Sequence, residues 1–146
     1  NFFADRMVDL CQFVEVKPHV NQLETHVFQQ QAAMRPILAE NGTQLQAWGP
    51  LAEGKNGFFT NPVLTEIGAK YHKSAAQVAL RFLVQSGVSA IPKASSRDHM
   101  EQNFAVFDFA LSAEDMEQIT KLDTGSSLFV NHSDPNFVKY ITSLKA

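Results

Sequence analysis

The 146-residue sequence contains one cysteine, Cys11, so no disulfide bond can form within the chain. Cys11 lies in an apolar-periodic segment, which predicts a buried structural thiol. The five histidines show no metal-ligand spacing with one another or with Cys11, so we expect no metal site. Seven glycines and six prolines are too few for a collagen-like or low-complexity chain.

Charge is also scarce, and neither sign dominates. Only 18% of the residues are charged, with 12 basic and 15 acidic side chains and a net charge of −3. This balance offers no basic surface for nucleic acid, and we expect no nucleic-acid partner. No apolar run approaches the roughly 18 residues of a membrane span, so we expect no membrane association. The early residues Asp5, Arg6 and Asp9 exclude the apolar region of a signal peptide there, and we expect the cytoplasm.

The sequence is rich in apolar residues, which make up 45% of the chain and are enough for a packed core. Hydrophobic periodicity and breaker residues predict strands over residues 20–24, 44–48 and 88–91. They predict helices over residues 4–13 and 29–40, and a long glycine-containing loop from Gly49 to Asn61. Strands that alternate with helices in this order predict an α/β fold with a parallel sheet. The length predicts about one domain.

Capping signals open the later helices. Asn61-Pro62 places a cap and a first-turn proline before one helix, and residues 74–77 (SAAQ) form a capping box before the next. Residues 95–98 (SSRD) predict a short helix that reaches Asn103, and residues 112–115 (SAED) predict another. From Gly125 onward we expect an irregular tail.

Polar and aromatic residues follow the predicted strands, where parallel α/β folds bind their ligands. Gln22 and Glu24 end the first strand, Trp48 and Gly49 the second, and residues 93–96 (KASS) follow the third. Amides, a flat aromatic ring, a cation and hydroxyls suit a nucleotide, and a helix that starts directly after Lys93 offers free amide groups to a phosphate. Read singly, Trp48 could be a core residue, Lys93 a solvated side chain, and Gln22 and Glu24 polar plugs.

Several segments together carry a family resemblance. Residues 20–24 (VNQLE), 47–51 (AWGPL), 76–82 (AQVALRF), 91–93 (IPK) and 101–112 (EQNFAVFDFALS) resemble, in order, motifs of the aldo-keto reductase family. Residues 122–123, 127–129 and 132–135 resemble its bacterial and lower-eukaryotic branch, which includes 2,5-diketo-gluconate-type and methylglyoxal-type reductases. The resemblance extends over nearly the whole chain.

The resemblance implies a fold and an activity. Residues 1–146 would form the C-terminal half of a (β/α)8 TIM barrel, from the end of the fifth barrel strand to the C-terminus. The parent protein would reduce aldehydes or ketones to alcohols with NADPH. We expect the intact protein to be a monomer, whereas the isolated segment would self-associate through its open sheet edges.

The resemblance also implies a role for individual residues in cofactor binding. Asn1 and Gln22 would bond the nicotinamide carboxamide, and Trp48 would stack on the nicotinamide ring. The loop that contains Gly49, Pro50, Leu51 and Gly54 would wrap the pyrophosphate. The region of the adenosine 2′-phosphate and the adenine would be contacted by Lys93, Ala94, Ser95, Gln102 and Asn103.

The sequence departs from the family pattern at two cofactor positions. His99 stands where the family usually has an arginine that clamps the 2′-phosphate, and Ala94 stands where a serine is common. Histidine gives a weaker and pH-dependent contact, so NADH is not excluded as the cofactor. Phe58, Phe59 and Phe129 are candidates for an apolar substrate rim, with packing as the alternative role.

No catalytic residue is assigned. The family's Asp, Tyr, Lys and His tetrad would precede Asn1, so this segment alone is expected to be inactive. The alternative hypothesis is a non-catalytic barrel remnant that acts as a nucleotide-binding or protein-interaction module.

Overall fold

A parallel three-stranded sheet lies at the centre of the structure, a computed structural model that describes residues 1–144. The strands β1 (Val20–Glu24), β2 (Gln44–Trp48) and β3 (Ser89–Ala90) follow one another in the order β1-β2-β3. Glu24 lies opposite Trp48 in the register of β1 and β2, and Ala47 lies opposite Ala90 in that of β2 and β3. The predicted parallel α/β arrangement is confirmed.

Helices connect and flank the strands. They are α1 (Ala4–Phe13), α2 (Met34–Glu40), α3 (Pro62–Tyr71), α4 (Ala75–Gln85), α5 (Arg97–Phe104), α6 (Ala113–Thr120) and α7 (Pro135–Ser143), with 3₁₀ turns over Ala52–Thr60. The Asn61 side chain accepts a hydrogen bond from the amide of Leu64, as a helix cap does. Ser74 and Gln77 form the predicted capping box of α4.

The two faces of the sheet differ in burial. Along β1 and β2, one face is buried and the opposite face is largely exposed. The buried face contributes Leu23, Leu45 and Ala47 to a core that continues through Leu64, Ile67, Val78, Phe82 and Ile119. On the exposed face, which also carries Val20, the Gln22 amide nitrogen donates to Gln46 Oε1 at 2.7 Å. Cys11 is on the buried side of α1, as predicted.

Three predicted boundaries are wrong. Helix α2 begins at Met34 rather than at Gln29, because Gln29 exchanges two backbone hydrogen bonds with His26 and Gln31 has a φ of +56°. Strand β3 has two residues instead of four, since the Val88 amide bonds to the end of α4 at Leu83.

The third error concerns α5. Its cap is Ser96, whose Oγ accepts a hydrogen bond from the His99 amide at 3.2 Å, so the predicted cap at Ser95 is one residue too early.

The tail is not irregular throughout. Helix α7 follows Asp134, which caps it by accepting from the Asn136 amide at 2.8 Å. Pro135 occupies the first helical turn. The pair Asp134-Pro135 carries the same signal as Asn61-Pro62, which the sequence did reveal.

None of the helices among residues 1–144 has both the length and the hydropathy needed to cross a membrane. Within the same described residues, no group of three or more His, Cys, Asp or Glu side chains is arranged to hold a metal ion.

Candidate functional site

Asn1 and Trp48 meet at the carboxyl edge of the sheet. The indole Nε1 of Trp48 donates a hydrogen bond to Asn1 Oδ1 at 2.8 Å. The indole is half-buried, and the Phe129 ring packs edge-to-face against it with 5.2 Å between centroids. The structure therefore brings together two of the residues that the sequence predicts around a nicotinamide. Gln22, the third, is exposed and paired with Gln46.

The loop after β2 turns tightly. Gly49 and Gly54 have φ values of +61° and +74°, a left-handed conformation that glycine adopts without a steric cost. The Ala52 amide bonds back to the carbonyl of Gly49 at 2.8 Å, and the Gly54 amide to that of Leu51 at 3.0 Å. A Cβ atom at Gly54 would lie only 3.0 Å from the Phe59 ring. The Phe59 ring thus fills the space beside Gly54, and Pro50 is buried.

A cavity of about 290 Å³ lies between this loop, the N-terminus of α4 and α5. The predicted site residues among its lining are Leu51, Lys93, His99, Gln102 and Asn103. Phe59, Ser74, Ala75 and Ala76 complete the lining and were not assigned to the cofactor from sequence. Ala94 and Ser95 lie in the chain between β3 and α5, outside the lining.

The charge on this cavity comes from one side chain. Lys93 is the permanently charged residue of the lining, beside the imidazole of His99 and the amides of Gln102 and Asn103. Arg97 is on α5, as His99 is, but its Nε pairs with Glu101 Oε1 at 2.7 Å on the surface. A cation with two amides can bind a phosphate and the polar edge of a base.

Glu24 does not face a ligand. Its side chain is only 2% exposed and accepts hydrogen bonds from the Ser127 hydroxyl, the Leu128 amide at 2.8 Å and His26 Nε2 at 3.0 Å. The Phe28 amide donates to His26 Nδ1, so the proton of the neutral imidazole lies on Nε2. Burial lowers the pKa of His26, against the opposing effect of Glu24. Glu24 anchors the segment after α6, a role without a local sequence signal.

A second cavity, of about 520 Å³, lies beside Phe3 and Gln29 and is otherwise lined by residues 125–133. Two of its residues, Phe129 and His132, also contact the indole of Trp48. Burial, and then the nearby N-terminal charge, lower the pKa of His132 and favour its neutral imidazole. Of the phenylalanines suggested for a substrate rim, Phe58 is fully buried in the core, Phe59 lines the smaller cavity and Phe129 lines the larger one.

Comparison with known proteins identifies related sequences. The sequence profile of the aldo/keto reductase family matches residues 1–124. The chain is 42% identical to glyoxal reductase of Bacillus subtilis over 123 residues, which cover 84% of this chain and 44% of that protein. It is 39% identical to aldose reductase C of Dictyostelium discoideum over 123 residues, which cover 84% of this chain and 38% of that protein. The chain thus spans less than half the length of these curated relatives.

Solved structures show the same fold. An aldo-keto reductase from a Medee basin deep-sea metagenome library superposes with a TM-score of 0.87 at 32% identity, covering 91% of this chain and 49% of that one. An aldo-keto reductase solved in complex with NADPH gives a TM-score of 0.78 at 30% identity, covering 86% of this chain and 41% of that one. The three parallel strands and their helices therefore form the C-terminal half of a (β/α)8 barrel. With the sequence matches, this similarity shows that the chain belongs to the aldo-keto reductase family.

Proposed function

We propose that this chain supplies most of the NADP(H) site of an enzyme that reduces aldehydes or ketones to alcohols. The observation that carries the proposal is the 290 Å³ cavity where Lys93, His99, Gln102 and Asn103 converge with Leu51. These residues come from three separate segments of the chain. A relative named glyoxal reductase and a related structure that contains NADPH support the same reading.

The residues present fit a dinucleotide. The cavity volume of about 290 Å³ lies just below the roughly 300–1,000 Å³ of small-molecule sites, as suits one end of an extended ligand. Lys93 would neutralise a phosphate, and the amides of Gln102 and Asn103 would bond the adenine. At the other end, Trp48 offers a ring whose orientation is fixed by Asn1. Between them, the left-handed backbone at Gly49 and Gly54 would admit the pyrophosphate.

The chain's own residues would bind and orient, while the nicotinamide, when bound, supplies a hydride. Trp48 would hold the ring flat by stacking, and Asn1 and Gln22 would fix the carboxamide. We assign no proton donor among residues 1–144. The Tyr71 hydroxyl donates to Asp115 and accepts from the Ser112 amide, so it is engaged in helix packing. In this proposal the donor lies outside the described residues, and the chain alone is inactive.

His99 weakens the expected preference for NADPH over NADH. An imidazole offers fewer hydrogen-bond donors to a phosphate than a guanidinium does. We therefore propose NADPH as the cofactor with NADH also accepted.

We also propose a cytoplasmic location for the protein, which agrees with the single buried thiol of Cys11.

The proposal is tested by titrating the chain with NADPH and following the cofactor's fluorescence. Binding should change this fluorescence. Lys93→Met should weaken the affinity for NADPH about tenfold through loss of a charge-assisted contact. Lys139→Met, on α7, is the matched control. An unchanged signal at millimolar NADPH would overturn the proposal, and carbonyl reduction by the pure chain would contradict the absence of a proton donor.

One observation favours the alternative of a non-catalytic module. In the described sheet, β1 and β3 each pair with β2 alone, and their outer edges can accept another strand. A module of this kind would self-associate through these edges or bind a partner protein. Sedimentation at several concentrations distinguishes the two: a concentration-dependent dimer without NADPH binding supports the module.

A further inference from the structure

The segment of residues 125–133, which we call the strap, crosses the carboxyl ends of β1 and β2. At β1, Glu24 accepts hydrogen bonds from the Ser127 hydroxyl and the Leu128 amide. At β2, the Phe129 ring packs against the indole of Trp48. The strap therefore lies directly on the residue that would stack on the nicotinamide, and it lines the 520 Å³ cavity.

One lysine connects the strap to the loop after β2, residues 49–60. Lys55 Nζ donates to the carbonyl of Leu128 at 3.2 Å and lies 3.7 Å from the centroid of the Phe129 ring. A cation over an aromatic face is attracted by the ring's quadrupole. The ammonium of Lys55, a residue of the loop, thus contacts both the backbone and the aromatic side chain of the strap.

The loop that carries Lys55 is held in an unfavourable backbone conformation. Ala52, Glu53 and Asn56 have φ values of +50°, +50° and +57°, a region that non-glycine residues rarely adopt. Lys55 itself is extended, with φ of −62° and ψ of 161°. A segment with several such residues can change conformation at low cost once its contacts change.

We propose that Lys55 is a positioning residue that fixes the strap on Trp48 through Phe129 and exchanges this contact for an anion bound by the loop. The exchange rests on the proposed function, because it takes the loop as the pyrophosphate site. A pyrophosphate bridge, which carries one negative charge on each phosphate, attracts the ammonium more strongly than a carbonyl and a ring do. Anion binding at the loop would then loosen the strap and open the 520 Å³ cavity.

Trp48 reports on the strap directly, because it is the one tryptophan of the 146 residues. Without any anion, Lys55→Met should raise the ratio of open to closed strap about fivefold, the effect of losing one cation–π contact with its hydrogen bond. The acrylamide quenching constant of Trp48 should rise with this ratio. Lys55→Arg should restore protection, since a guanidinium can make both contacts. Lys139→Met is the charge-matched control and should leave quenching unchanged.

Inorganic pyrophosphate tests the exchange. It should raise Trp48 quenching in the unmodified chain and have no further effect on Lys55→Met. Equal quenching of Lys55→Met and the unmodified chain would overturn the coupling, and the absence of a response to pyrophosphate would overturn the exchange. The anion-free comparison stands whether or not the chain binds NADPH, so a failure of the proposed function remains distinguishable.

Discussion

The indole N–H of Trp48 and the side-chain oxygen of Asn1 form a 2.8 Å hydrogen bond between residues 47 positions apart. This bond fixes the rotation of the indole about its side chain, while Phe129 packs against it. Trp48 is thereby oriented before any ligand arrives. Such preorganisation lowers the entropy cost of stacking a flat ring against it.

Two substitutions of Trp48 distinguish the contribution of ring stacking to NADPH binding from that of the hydrogen bond to Asn1. Trp48→Ala should weaken NADPH binding about tenfold, because an aromatic pair contributes roughly 0.5–1.5 kcal/mol beyond its buried area. Trp48→Phe keeps a ring but loses the bond to Asn1, and should cost about threefold. Isothermal titration calorimetry measures both constants. Equal affinity of the alanine variant and the unmodified chain would show that Trp48 does not stack on the cofactor.

His99→Arg should raise the preference for NADPH over NADH about tenfold, because a guanidinium is always charged and can bond a phosphate with two donors. NADH affinity should change little, because NADH has no 2′-phosphate for the guanidinium to bond. Dissociation constants of the unmodified chain and of the arginine variant for both cofactors test this. A ratio unaffected by the substitution would place the 2′-phosphate away from His99.

Asp115 joins α6 to α3 and should contribute to stability. Burial alone would raise the pKa of its carboxyl, but hydrogen bonds from Lys70, Tyr71 and Ser112 lower that pKa from 3.8 to about 2. The folded state therefore favours the carboxylate, and this stabilisation is present above pH 3.8 and lost as the pH falls towards 2.

Asp115→Asn should lower the free energy of unfolding at pH 7 by about 2 kcal/mol, as for other buried hydrogen bonds to a charged group. It should also flatten the stability profile between pH 4 and pH 2. Urea unfolding across this range is the measurement, and the neighbouring exposed Glu114→Gln is the control. If stability fell equally between pH 4 and pH 2 in Asp115→Asn and Glu114→Gln, Asp115 would not be the cause of the acid sensitivity.

Gly68 should not tolerate a methyl group, although it lies inside a helix. Gly→Ala in a helix usually stabilises by about 1 kcal/mol, but here the added Cβ would lie 2.3 Å from the carbonyl oxygen of Lys73. We expect Gly68→Ala to destabilise by about 1–3 kcal/mol, as overpacking does. Urea unfolding compares it with Glu66→Ala, an exposed change on the same helix. Greater stability of Gly68→Ala would contradict the close contact.

Local chemistry made part of this structure predictable from sequence. The capping box at Ser74 and Gln77 and the cap at Asn61 act within four residues, so their helices were placed correctly. Hydrophobic periodicity predicts too early a start for α2, because it does not reveal that Gln29 bonds back to His26. The sequence prediction misses helix α7 although Asp134-Pro135 marks its start and Phe137, Val138 and Ile141 follow helical spacing; none of its residues is buried in the core.

The residues of the site also divide into those that the local sequence predicts and those that it does not. Residues after the strands were found because parallel strand ends lie at one edge, and the cavity around Lys93 and Asn103 contains several of them. The contact of Lys55 with Leu128 spans 73 positions, and that of Glu24 with Leu128 spans 104. No local pattern encodes such pairs. For this reason Glu24 was considered as a ligand-facing residue, whereas it anchors the strap.

The central claim, that this chain holds the cofactor site, is tested most directly by nuclear magnetic resonance. The chain has one tryptophan and therefore one indole N–H signal, that of Trp48. On addition of NADPH, this signal and the backbone signals of Lys93, His99 and Asn103 should shift together with a single dissociation constant. Unchanged indole and backbone signals at millimolar NADPH would contradict the account.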